Sequence, residues 1–124
     1  MVFGLAMQTY GQKLAEQQEV LINVADIMID VFSAESAVLR ALAQADSAAA
    51  SALHAAAARV FVNDAAMRID ASARQALAAM TQGDALRTML AALRRLLKFT
   101  PIDTVTLRRR LADEAVARGG YIFA

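Results

Sequence analysis

A chain of 124 residues with net charge +1, 58% hydrophobic residues and no cysteine is long enough for one domain with a worthwhile core. Its composition excludes a disulfide framework, thiol chemistry and a cysteine metal site, and its charge is neither that of a polyanion binder nor that of an acidic tail. Alanine is the commonest type, so the mean hydropathy of +0.40 overstates the large apolar surface; with 5 Gly and 1 Pro as interruptions, the chain reads as all-helical, because alanine is the best helix former.

The opening MVFGLAMQTYGQ lacks a basic n-region and is a poor signal peptide. Residues 1–12 read as a short helix or a severed lead-in, which suggests a piece of something longer, and 13–124 as a single helical domain. Residues 13–45 form the organising helix. Wound at about 100° per residue, this stretch is apolar over most of its circumference. Leu21, Val24, Met28, Val31, Val38 and Leu42 make a seam, while Glu19, Asn23, Asp26, Asp30, Ser33 and Arg40 make one narrow polar stripe. Glu35 falls inside the apolar arc. A helix of this kind is expected to be surrounded by others.

Asp46 or Ser47 can cap the next helix, which continues to about residue 82 with Leu53, Val60, Met67 and Arg74 recurring every seven positions. Asp64–Arg68 and Asp70–Arg74 are acid-first pairs in the favoured order, each worth ~0.2–0.5 kcal/mol. The run AAASALHAAAA at 48–58 reads as small residues that let two helices approach closely. Gly83 can end this helix in a left-handed conformation and Asp84 can cap the next. In 85–99 the leucines share one face, and Arg87, Arg94, Arg95 and Lys98 lie on or beside another. Thr100-Pro101 stops the chain. Thr100 or Asp103 caps a last helix with Val105, Leu111, Ala115 and Val116 inward, and Gly119-Gly120 ends it. Four helices of roughly 33, 35, 15 and 16 residues with short connections predict an antiparallel bundle, two helices long and two shorter. No apolar run reaches the ~20 residues of a spanning helix, so the expectation is a soluble, cytoplasmic protein that at most lies on a membrane surface.

A search for chemistry finds little. His54 has no acid three residues before it, which excludes the Glu-x-x-His pairs of a di-iron bundle, and it reads as structural or solvent-exposed. No metal site or catalytic site emerges. A buried Glu35 would either pair with an arginine or hold its proton; the reading taken is a buried ion pair with Arg108, Arg109 or Arg110. Those three arginines spread around a helix and lack interleaved aromatic residues, so nucleic-acid binding is not expected. Charge is uneven: residues 1–83 carry five Lys/Arg against eight Asp/Glu, and residues 84–124 carry eight against four. The basic late helices are expected against the acidic early ones, with a basic face on 85–99 offered to a membrane or partner as the second reading.

Two blocks carry a resemblance. QQEVLINVADIMIDVFSAESAVLR, and further on GDALRTMLAALRRLLKFTPIDTVTLRRRLADEAVARGGY, resemble the C-terminal helical extension of acyl-CoA dehydrogenases of the extended, long-chain type. That family shows Q-E-V-L…A-D…E-S-A-x-L-R in the first block. In the second it shows Leu-Arg-Thr, a Thr-Pro turn, a Leu-Arg-Arg segment and a Gly-Gly-Tyr-like ending. The resemblance implies a parent flavoprotein of fatty acid beta-oxidation that removes two hydrogens from acyl-CoA and passes electrons to an electron-transfer flavoprotein. It also implies that FAD, the acyl-CoA pocket and the catalytic glutamate belong to a preceding module. Glu35 matches the Glu of the E-S word and is not that base. This chain would then be a non-catalytic domain without a cofactor of its own. It would pack on the catalytic module, support a homo-oligomer and make peripheral membrane contact. The rival is a free-standing helical module that self-associates, with no link to redox chemistry.

Overall fold

A computed structural model describes residues 1–44 and 48–123, side chains of 48 and 49 excepted, and the described residues contain helices and turns with no strand. The helices are α1 (Val2–Tyr10), a 3-10 turn (Gly11–Glu16), α2 (Gln18–Ala43), α3 (Ala48–Met80), α4 (Gly83–Leu96) and α5 (Thr104–Arg118). The all-helical expectation holds among these residues, with α1 as a fifth α-helix. The proposed caps Asp46 and Ser47 lie outside the described residues. The organising helix starts at Gln18 rather than at 13. Gly11 turns the chain at φ 54°, the next residues wind as 3-10, and Gln17, at ψ 66°, leaves the helical region before α2 begins.

The chain divides into two compact units, Met1–Val31 with Ala66–Phe99, and Phe32–Ala65 with Thr100–Ala124. In the first, Val2, Val24, Ala73, Ala76, Leu77 and Leu93 form a buried cluster, lined further by Leu86, Met89 and Leu90 of α4. Leu77 is fully enclosed, a burial worth about 1.5–3 kcal/mol. Within this unit α2 and α3 run antiparallel: Val24 shares the cluster with Ala73–Leu77, while six residues later Asp30 meets Arg68. Alanines take most of the inward positions of α3, while Met67 and Arg74 of the expected seven-residue series face out. Small side chains admit a neighbouring helix closer than Met allows. Gly83 has φ 56°, yet it opens α4, and Asp84 bonds Arg87 at 2.8 Å instead of capping.

The second unit buries Leu53, Ala56, Ala58, Ala65 and Ile122, together with the polar Asn63 and His54. The Asn63 side-chain oxygen accepts the Ile102 N–H at 3.0 Å, and Arg108 donates to Asp64, so the start of α5 is pinned to the middle of α3. Asp103 caps α5, accepting the Thr106 N–H at 3.1 Å and its hydroxyl at 2.6 Å. Gly119, left-handed at φ 66°, closes that helix onto the carbonyls of Ala115 and Val116, a geometry that favours glycine. The tail then returns. Ile122 is buried, and the Phe123 ring centroid lies 4.9 Å from that of His54. The expected inward face of α5 is corrected: Val105 and Val116 are exposed, and Leu107, Leu111 and Ala115 are the half-buried positions.

Candidate functional site

Glu35 is exposed on α2, so the burial expected of it does not occur in this chain. The inward side of that half of α2 is Ala34, Ala37 and Ala41, all half-buried, which turns Glu35 toward solvent. Among the described residues no ion pair joins Glu35 to Arg108, Arg109 or Arg110; Arg108 pairs with Asp64 and bonds the Thr104 hydroxyl at 2.8 Å. Arg109 and Arg110 are exposed and line an open groove along α5 with Asp113 and Glu114.

Asp30, read from the sequence as a solvated charge, is the best-held carboxylate of the first unit. Its side chain is 13% exposed, and it accepts from Arg68 at 3.1 and 3.0 Å through Nε and at 2.5 Å through Nη2. Arg68 and Asp64, expected to pair along α3, thus each bond to another segment. No periodicity distinguishes the two outcomes, because both use residues that already look exposed. Asp70 and Arg74 do pair as expected at 2.6 Å; the Asp70 hydrogen bond and charge raise the Arg74 guanidinium above its ordinary pKa. The Thr106 hydroxyl and N–H hold the Asp103 carboxyl below the usual carboxylate range.

On α4, Leu93 is buried, and Leu86, Met89 and Leu90 pack against the first unit's core. Arg87, Arg94, Arg95 and Lys98 are exposed, Arg87 being paired with Asp84. Leu86, Leu90, Leu93 and Leu97 therefore serve the core, Leu96 is 72% exposed, and the basic side is left outward. No helix is long and apolar enough to cross a membrane among the described residues.

Three of the concavities offer a flavin dinucleotide poor footing. One of about 310 Å³, lined by Phe3, Ile27, Met28, Ile69, Leu96 and Leu97 among others, is almost wholly apolar and offers a pyrophosphate nothing to bond. A second presents Asp26 and Asp30 beside Arg68, and its carboxylates repel phosphate. A third, of about 220 Å³, is below the roughly 300–1,000 Å³ typical of drug-sized ligands. Among the described residues no group of three or more His, Asp or Glu stands together as a metal site.

Known proteins resolve what the geometry alone leaves open. The profile of the acyl-CoA dehydrogenase C-terminal domain matches residues 1–95. A probable acyl-CoA dehydrogenase of Bacillus subtilis (strain 168) is 57% identical over 37 residues, 30% of this chain and 6% of that protein. The crystal structure of an acyl-CoA dehydrogenase complexed with FAD from Bacillus anthracis matches 98% of this chain at 35% identity with a TM-score of 0.93, and the chain spans 22% of it. The chain thus corresponds in sequence and shape to one part of a larger protein, and it belongs to the family of acyl-CoA dehydrogenase C-terminal domains.

Proposed function

We propose that this chain is a non-catalytic packing domain of an FAD-dependent acyl-CoA dehydrogenase acting in fatty acid beta-oxidation, and that it covers and positions the catalytic module. One observation carries the reading: α2 exposes large apolar side chains that a free-standing domain has no reason to offer water. These are Ile22, Met28 and Ile29 in the first unit, and Phe32 (71% exposed), Leu39 and Leu42 (66%) in the second. Large apolar side chains exposed along one helix in each unit point to an interaction face, and a chain spanning 22% of its structural relative has a large body available to cover it. In this reading the longer helices make an antiparallel bundle and the domain supports a homodimer.

The test pairs two measurements. The chain alone is expected to retain no flavin absorbance and to reduce no electron acceptor with acyl-CoA; retention of both would overturn the non-catalytic assignment. Joined to an acyl-CoA dehydrogenase body, it is expected to lower the thermal stability of that body when Phe32→Asp or Leu39→Asp is introduced. No change in either variant would remove α2 as the docking face.

The outward basic side of α4 supports a second element of this reading, docking to an anionic membrane or partner. Binding to anionic vesicles is expected to weaken with salt and when Arg87, Arg94 and Lys98 become Gln. Absence of binding at low salt would discard it.

A further inference from the structure

The second unit holds a concavity that the packing role leaves unused. It measures about 220 Å³ and is walled by Phe61, Tyr121 and Phe123, with Arg40 and His54 also lining it and alanines of α2 and α3 as its floor. The C-terminal tail builds one side. Phe123 lies 4.9 Å from the His54 ring, and Tyr121 meets Phe123 edge-on at 5.7 Å.

His54 supplies the observation that points to a ligand. It is only 8% exposed, yet it makes no hydrogen bond among the described residues. No fully enclosed side-chain nitrogen or oxygen there lacks a partner, so the unbonded imidazole nitrogens are not fully enclosed, and the residue lines the concavity. Imidazole nitrogens that reach solvent without a protein partner are open to bond an incoming polar group. Arg40 adds a fixed positive charge with a planar donor fork suited to a carboxylate. No carboxylate side chain lines the space to oppose an anion. The aromatic walls favour a flat partner, because rings pack edge-to-face or offset against one another. The volume admits one or two fused rings.

We propose that this concavity is a binding site for a small planar aromatic carboxylate, its ring held among Phe61, Tyr121 and Phe123 and its carboxylate bonded by Arg40 and His54. The site is independent of the face assigned to packing. It also gives the returning tail a purpose beyond closing the fold, since without Tyr121 and Phe123 the walls are open.

Titration of the full 124-residue chain with 2-naphthoate, followed by amide and side-chain NMR shifts, tests this. Saturable shifts are expected at His54, Phe61, Tyr121 and Phe123. The neutral analogue 2-naphthalenemethanol and the non-aromatic anion cyclohexanecarboxylate are each expected to bind about tenfold more weakly, as charge-assisted bonds and ring contacts are lost separately. Arg40→Gln and Tyr121→Ala alter exposed side chains and leave a folded chain; each is expected to weaken 2-naphthoate by a similar factor. No saturable shift up to the solubility limit would overturn the proposal. So would equal binding of all three probes, or shifts centred on Phe32, Leu39 and Leu42, which would mean adsorption to the exposed apolar side of α2.

Discussion

Around Leu77 the first unit is closed by aliphatic side chains from α1, α2, α3 and α4, whereas around Asn63 the second is closed by a carboxamide, an aspartate and a returning aromatic tail. Each kind of closure fails differently. The aliphatic cluster depends on volume: its contacts are weak singly and lost together when a cavity opens. The polar closure depends on partners, because removing one group strands another away from water. The difference also bears on what a hydropathy pattern reveals. Spacing of leucines announces the first unit, but nothing in the spacing of Asn63, Asp64, Ile102 and Arg108 announces the second.

The comparison is sharpest at its apolar end. Leu77→Ala is expected to cost about 3 kcal/mol of folding stability, in the middle of the range for enclosed leucines, read as a lowered midpoint in chemical denaturation. A loss below about 1 kcal/mol would mean that the surrounding alanines collapse into the space. In the second unit, Asn63→Ala strands the Ile102 N–H and is expected to cost about 2 kcal/mol. Its signature differs in kind: hydrogen exchange should quicken at the start of α5 while the amides around Leu77 stay protected. Equal quickening throughout would mean that the two closures are one cooperative unit.

The smallest effect concerns the Asp103 cap. Its carboxyl titrates below the usual range because Thr106 bonds the ionised form. The stabilisation is therefore fully present above the unfolded-state pKa and is lost as pH falls through the lower, folded value. Asp103→Ala should fray the first turn of α5 at neutral pH, and its difference from the parent chain should vanish only in strong acid. A difference that grows on acidification would contradict the cap, and circular dichroism against pH reads it directly.

Much of the helix punctuation was legible. The cap at Asp103 and the end at Gly119 rest on local rules that the surroundings do not override, whereas α4 ends at Leu96, short of the expected stop at Thr100-Pro101. The rotational setting of the helices was not. A helix apolar over most of its circumference, as α2 is, offers several faces of similar hydrophobicity. The face that wins in its second half is Ala34, Ala37 and Ala41, chosen by closeness of approach and not by size. That is why sequence periodicity puts Glu35 inside; on α5 it turns Val105 and Val116 inward, where the structure exposes both. For the proposed ligand site, Arg40 and His54 were visible as residues. Their convergence with Tyr121 and Phe123 depends on the chain reversing after Gly119, a long-range event that leaves no local periodicity.

The buried alanines have a consequence for how this sequence can change. Ala65, Ala73 and Ala76 are enclosed to 1% exposure or less, so a single added methyl group meets atoms already in contact, at a cost of about 1–3 kcal/mol. A mutational scan should therefore find Ala65, Ala73 and Ala76 intolerant of Val or Leu, while Phe32 and Leu42 accept Ser or Lys when the chain stands alone. These three small residues are fitted spacers, and the larger Phe32 and Leu42 are the freer ones.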